Sequence, residues 1–195
     1  RIEQVEGVTG VAGAAWFAGL SQEPNPDGTK REEFFAQFAT DIERYLALYP
    51  EIKVPKDQLH DLAGDQMGCL LGVKIAERLN KKIGDRVVLR STVWAQKNGS
   101  TIWEFNVRAI YTSDSPTFDL TMMMFPHKRF DEARQFGQGY TGLYVLAIAD
   151  PERSTEVSTA IDAMFANSPH ETRTMTEKAF NLQFVGMIGN FQLLL

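Results

Sequence analysis

The chain has a single cysteine, Cys69, among its 195 residues, so no intrachain disulfide can form. That cysteine sits inside the apolar run Gly-Cys-Leu-Leu-Gly at 68–72, which predicts a buried structural thiol rather than a reactive one. Positive charge is also scarce: 20 Lys and Arg stand against 25 Asp and Glu, a net charge of −5, which gives nucleic acid no electrostatic footprint. No stretch of eighteen or more apolar residues occurs, so no complete membrane span is present. The sequence contains no G-x-S-x-G, S-x-x-K or P-loop, which leaves hydrolase and ATPase chemistry without a starting residue. His60 and Asp57, and His127 and Asp131, are helical pairs without a third ligand, and His170-Glu171 lacks the second histidine of a zincin motif. No catalytic residue, metal or cofactor is therefore expected. No signal peptide is expected within residues 1–195, which open at Arg1 without a Met or an apolar core.

What is there is ordinary globular composition, 44% hydrophobic and 23% charged, which excludes a disordered chain and allows one large or two small domains. The organising stretch is 67–111. It reads as a buried strand (68–72), a small helix carrying Val73, Ala76 and Leu79, a turn at Gly84-Asp85, and a long β-hairpin. Asn98-Gly99 between alternating runs predicts a type I′ turn, with Val93, Trp94, Ile102, Trp103 and Phe105 as cross-strand pairs. Gly72, Gly84, Asp85, Asn98 and Gly99 are thus the expected turn and packing positions.

Before this stretch, Ile2 and Val5 suggest the last turn of a helix, stopped by Gly7. Residues 11–18 predict a strand buried on both faces, with Val11, Ala15 and Phe17 opposite Ala12, Ala14 and Trp16. Residues 23–30 read as a loop; 33–49 fit one helical face through Phe34, Phe38, Ile42, Tyr45, Leu46 and Tyr49, but the aromatics favour a strand over 34–40 and a helix over 42–49 capped by Asp41. A linker bracketed by Pro50 and Pro55 then leads to a helix over 56–67. After the hairpin, 120–125 is a buried run whose methionines fill core, and 130–136 is a short helix. Asp131, Glu132 and Arg134 on that helix are a candidate partner surface.

Residues 137–142 match G-x-G-x-x-G, but they follow a helix and enter a strand, the reverse of the dinucleotide context, so a flexible loop is expected. Residues 143–149 suit a central strand, and Asp150-Pro151 opens a helix that runs to Asn167. Thr174 and Glu177 have capping-box spacing for a last helix, apolar all round from Phe184 onward. Both ends read as cut, and the expectation is a piece of a longer, membrane-bound chain. The element order predicts an α+β fold: an α/β layer from both ends with a β-rich insertion.

Several segments in succession carry a resemblance. They are Gly68-Cys-Leu-Leu-Gly72, Ala76-Glu-Arg-Leu79, Gly84-Asp-Arg-Val87, Trp103-Glu-Phe-Asn-Val107, Ile110-Tyr111, Phe130-Asp-Glu-Ala-Arg134, the stretch 160–168 and the tail 177–189. In this order they resemble the extracytoplasmic (periplasmic core) domain of MacB/FtsX-type ABC transporter permeases. The resemblance implies a Porter-like subdomain from 1–55 plus 142–195, and an inserted Sabre-like lobe over 56–141. It further implies a non-catalytic domain on the outer side of the bacterial inner membrane, tethered by flanking transmembrane helices. Its expected partners are a cytoplasmic ATP-binding subunit, a second permease subunit in a dimer, and a periplasmic partner or cargo. The implied work is mechanotransmission for export or extraction; the alternative is a peptide-sensing or hydrolase-regulating receptor domain.

Overall fold

The computed structural model describes residues 1–24 and 30–192. In chain order the elements are β1 (Val8–Trp16), β2 (Gly19–Pro24), β3 (Lys30–Phe34), β4 (Gln37–Thr40), α1 (Ile42–Leu48), β5 (Ile52–Lys53), α2 (Lys56–Gly64), β6 (Gly68–Gly72), α3 (Val73–Arg78), β7 (Arg86–Ser91), β8 (Ile102–Ser113), β9 (Met123–Pro126), α4 (His127–Ala133), β10 (Leu143–Ile148), α5 (Ser154–Phe165) and α6 (Glu177–Gln192). The mixed α+β class is as the sequence predicts. Strands follow one another in the sheet as β10-β1-β4-β9-β6-β8-β7-β2-β3, with β5 on β8. Two compact units emerge, residues 12–145 and residues 1–11 with 146 onward. Strand β4 pairs with β1 on one side and with β9 on the other.

In the larger unit, β6 is buried at all five positions, parallel to β8 and antiparallel to β9. Burial on both faces is why its sequence is continuously apolar rather than alternating. One face of the sheet is an aromatic cluster centred on Phe17, whose ring meets Trp103 at 5.5 Å, Phe105 at 6.0 Å, Phe125 at 5.3 Å and Phe130 at 5.8 Å, all close to edge-on. The other face packs Leu70, Ala109, Tyr111 and Met124 against Tyr45, Tyr49 and Leu62 of α1, its C-cap and α2. Ala15 and Phe17 join the first cluster and Ala12 the second, the alternation read for 11–18.

A β-bulge explains why β8 cannot be read as a single alternation. Cys69 lies opposite Val107 but Leu70 lies opposite Ala109, so Arg108 is the extra residue. Phe105 and Val107 therefore face one cluster while Ala109 and Tyr111 face the other. Asp65, at the end of α2, accepts from Arg108 Nε at 2.8 Å and Asn106 Nδ2 at 2.9 Å and fixes the displaced side chain.

Several expectations need correction. Strands β2 and β3 form an antiparallel hairpin, so only part of 23–30 is left for a loop, and its residues 25–29 lie outside the described residues. The sequence from 19 to 34 carries too many charges to read as paired strands; the hairpin is held by Arg90–Glu32, Arg78–Glu33 and Lys81–Glu23 ion pairs. Helix α2 stops at Gly64, three residues early, because Asp65 turns to cap Met67 N–H and hold Arg108. Helix α4 starts at His127 rather than at 130, directly after Pro126. Strand β10 lies at the end of the strand order, not in the centre. The strand 34–40 is broken by Phe35 and Ala36, while Asp41 does cap α1 by accepting from Arg44 N–H at 3.1 Å.

The smaller unit packs Ile2, Val5, Val8 and Val11 against Leu146, Ile148, Val157, Ile161 and Phe165. Asp150 caps the start of the following turn by accepting from Glu152 N–H at 3.0 Å. The connector after α5 is strapped down by one carboxylate. Asp162 accepts from Thr172 Oγ1 at 2.9 Å, Thr174 Oγ1 at 2.7 Å and Thr174 N at 2.9 Å. Thr174 is therefore spent on Asp162, and Thr176 starts α6 instead, its Oγ1 accepting from Ala179 N–H at 3.3 Å. Asp162→Ala is expected to cost about 1–2 kcal/mol, the worth of a lost carboxylate cap. Amide exchange at residues 172–176 should rise well before global unfolding, and unchanged protection there would refute the strap. In α6, Leu182 and Val185 are exposed at 71% and 68%. Among the described residues no helix is long and apolar enough to cross a membrane.

Candidate functional site

The expected turn and packing residues fall at three places in the larger unit. Gly72 ends β6 and caps α3, and a Cβ there would overlap the carbonyl oxygen of Leu120 and lie 2.9 Å from the Tyr111 hydroxyl. Gly84 has φ +91°, and its N–H donates to Val107 O at 2.8 Å. Asp85 closes the same turn, its carboxylate accepting from Lys82 N–H at 2.9 Å while its carbonyl accepts from Val107 N–H at 2.8 Å. Nothing lies within 4 Å of a Cβ at Gly84, so only backbone strain opposes a side chain. Gly84→Val should lower stability by about 1 kcal/mol; a denaturation midpoint equal to that of the parent would show the strain is relieved elsewhere.

Asn98 and Gly99 form a turn of a different type from the one expected. Only Gly99 has positive φ (+84°), whereas a type I′ turn needs it at both residues. Gly99 N–H donates to Gln96 O, Gln96 N–H to Ser100 O, and Ser100 N–H to the Asn98 side chain. The turn ends a ten-residue excursion between β7 and β8, so Val93 and Trp94 are not cross-strand partners. Trp94 instead donates its Nε1–H to Trp16 O at 2.9 Å and takes Trp103 Nε1–H on its own carbonyl at 2.9 Å.

The expected partner surface lies at a fourth place, α4 and the glycine loop after it. Arg134 is 1% exposed, which removes it from the expected partner surface; Asp131 is half-buried, and Glu132 alone of the three is exposed. The Arg134 guanidinium lies 5.0 Å from the Trp94 ring and 4.9 Å from that of Phe130, a cation–π contact on each side. It pairs with the Asp131 carboxylate and donates to Tyr140 O at 2.8 Å. Asp131 in turn accepts from Gly139 N–H at 2.9 and 3.0 Å. Gln138 Nε2 donates to the Arg134 carbonyl, closing the ring of bonds. Burial pushes the Asp131 carboxyl upward, but the Gly139 N–H and the Arg134 charge outweigh it and hold the group below the usual carboxylate range.

This clamp changes the reading of 137–142. The loop is pinned, not flexible, and a carboxylate of its own chain occupies the Gly139 N–H that a phosphate would need. Positive φ at Gly137 (+74°) and Gly139 (+78°) explains the glycines. An arginine on a short charged helix reads as solvated in sequence; the tryptophan that shelters it lies forty residues earlier, so no local signal could have found the clamp.

Chemistry elsewhere is sparse. His60 and His170 are exposed, and His127 is half-buried beside Phe130, its Nε2 enclosed without a hydrogen-bond partner. Cys69 is buried at the middle of the sheet, and burial drives its thiol well above the ordinary range, as an inert structural thiol requires. Among the described residues no three His, Cys, Asp or Glu side chains converge as a metal site would need. A cavity between Trp103, Phe105, Phe125 and Phe130 holds about 20 Å³, room for a water at most, and an open hollow of about 380 Å³ lies along Ile52, Lys53, Val54, Pro55 and Thr112. The arrangement can hold a shape and present surfaces.

No protein-family model matches the sequence, and no curated protein matches it. Solved structures do share the fold. The extracellular domain of the noncanonical ABC-type transporter YknZ from Gram-positive bacteria is similar at a TM-score of 0.54 and 12% identity, covering 90% of this chain and 85% of that one. The periplasmic region of MacB from Actinobacillus actinomycetemcomitans gives 0.50 and 11%, over 84% of this chain and 70% of that one. A domain of a permease protein from Porphyromonas gingivalis gives 0.50 and 12%, over 86% and 68%. The chain has the fold of the extracytoplasmic domains of MacB- and YknZ-type ABC transporter permeases.

Proposed function

We propose that this chain is the extracytoplasmic domain of an ABC transporter permease subunit, without catalysis of its own. In this reading it passes an ATP-driven conformational change across the membrane and engages cargo or a partner protein on the outer side. The observation that carries it is the fold shared with two such domains and with a domain of a permease protein, over 84–90% of the chain rather than over one motif. The polar groups at the clamp and the strap hold the protein's own backbone. Residues 1–55 with 142–195 would be the Porter-like base and 56–141 the Sabre-like lobe, joined through the β4–β9 and β5–β8 pairings. The cytoplasmic ATP-binding subunit, a second permease subunit and the flanking transmembrane helices belong to this proposal, as does a place on the periplasmic side of the bacterial inner membrane.

The test is made on the full-length protein in membranes. An ATP-binding subunit should co-purify with it, and distances between spin labels on Glu132 of two subunits should shift on adding a non-hydrolysable ATP analogue. A protein that recruits no ATPase and whose label distances ignore nucleotide would refute the reading. ATP-driven motion that never moves cargo but changes a cell-wall hydrolase's activity would favour the receptor alternative instead.

A further inference from the structure

Asn98 is the only asparagine of the chain that is followed by glycine. An asparagine carboxamide is open to attack by the backbone nitrogen of the next residue, and glycine, with no Cβ, leaves that nitrogen unhindered. Both residues are exposed, so water and hydroxide reach the turn. The side chain is also held for the reaction. Its Oδ1 accepts from Ser100 N–H at 2.9 Å, an Asx turn that folds the carboxamide over the peptide after it and draws electron density from its carbon. One bond opposes the attack: Gly99 N–H donates to Gln96 O at 2.8 Å. That bond stands alone in an exposed turn, where water competes for both of its groups. Asn106 differs, since its Nδ2 donates to Asp65 at 2.9 Å and a branched Val107 follows it. Asn167 is exposed too, but serine follows it.

We propose that Asn98 is a self-modification site, at which the folded turn converts asparagine to aspartate and isoaspartate. Hydroxide takes the Gly99 amide proton, and the nitrogen's electron pair forms a bond to Cγ of Asn98. The bond from Cγ to Nδ2 breaks, and ammonia leaves with a proton taken from water. Water then opens the five-membered imide. Breaking the new bond between nitrogen and Cγ gives aspartate. Breaking the older bond, from the backbone carbonyl carbon of residue 98 to the same nitrogen, gives isoaspartate, with the chain now running through Cβ and Cγ. The product matters because of what the turn holds. Lys97 N–H donates to Ala133 O at 2.9 Å and Gln135 N–H to Ala95 O at 2.8 Å, which ties the segment carrying Trp94 to the end of α4 beside Arg134. Aspartate keeps the turn, because a carboxylate accepts from Ser100 N–H as the amide did. Isoaspartate lengthens the backbone between Lys97 and Gly99 and displaces both bonds, so isomerisation rather than added charge loosens the Trp94 shelter over Arg134. The inference concerns this turn alone and stands or falls apart from the transporter reading.

The test is to incubate the folded chain at physiological pH and temperature and to map its peptides by a method that separates aspartate from isoaspartate. Conversion at Asn98 is expected to run at least about tenfold faster than at Asn106 or Asn167, since glycine follows only the first. It should quicken as pH rises, and Asn98→Gln should abolish it. Amide exchange at Lys97 and Gln135 should be faster in the isoaspartyl fraction and unchanged in Asn98→Asp, which separates the lengthened backbone from the added charge. Conversion confined to protein unfolded in urea would overturn the proposal, because the Gly99–Gln96 bond would then protect the turn. Equal rates at Asn98 and Asn167 would overturn it as well. An isoaspartyl fraction with unaltered exchange at Lys97 and Gln135 would overturn the link to Arg134.

Discussion

Gly72→Val is expected to destabilise the protein by roughly 3 kcal/mol or more, the upper end of what overpacking costs, and to lower Tm by about 10 °C. The backbone dihedral is not the reason, since φ is −66° there and any residue adopts it. Space is the reason: a Cβ would overlap the Leu120 carbonyl. That segment cannot simply retreat, because Leu120 O accepts from Ile75 N–H, Met122 O from Gly72 N–H at 2.9 Å, and Asp119 O from the Tyr111 hydroxyl at 2.8 Å. Moving it breaks bonds on both α3 and β8. Gly72→Ala should reproduce most of the loss, since the first carbon already collides. An alanine variant with unchanged Tm would show that residues 119–122 yield freely.

Arg134→Ala is expected to cost about 3 kcal/mol, the scale of breaking a buried ion pair, and to release the glycine loop. Three things go at once: the charge beside Asp131, the bond to Tyr140 O, and the filling between Trp94 and Phe130. Lysine should not restore them, because it lacks the planar group that packs against both rings. Asp131→Ala should cost as much, since it leaves the guanidinium buried without its anion, and the double variant should lose less than the two singles together. The clamp also sets a pH dependence. A carboxyl held below its ordinary value contributes stability that is complete above about pH 4 and is lost as pH falls through the folded-state value. Exchange at Gly139 and the near-ultraviolet signal of the Trp94 environment should therefore change on the acid side of pH 4. Arg134→Ala should weaken that dependence; an identical acid profile in the variant would show that Asp131 is not its origin.

The sequence was legible where one neighbour or one period decides the structure. The buried run at 68–72, the alternation at 11–18 and the Asp41 and Asp150 caps depend on residues within a turn of each other, and each is as read. Reading failed where a distant partner decides. Helix α2 ends early for the sake of Arg108, Thr174 is diverted to Asp162, and β8 changes face at a bulge. The charged hairpin β2–β3 looks like loop until its ion-pair partners are folded beside it. At the candidate site the glycines were visible and the clamp was not, because burial of Arg134 depends on a tryptophan on the other side of the hairpin turn.

The order of β6, β8 and β9 has a consequence for how the protein is made. Strand β6 leaves the ribosome with neither of its neighbours, since β8 and β9 both come later in the chain. At ~5–20 residues per second, several seconds pass before residue 126 is joined and the second neighbour exists. Strand β4 waits for β9 longer still. Until β8 is made, Cys69, Leu70 and Leu71 are apolar strand without a sheet, and until β9 follows one edge of β6 has no partner. Keeping them from other nascent chains is the work of chaperones, and a slowed stretch of translation before β9 would lengthen the exposure without altering a single native contact.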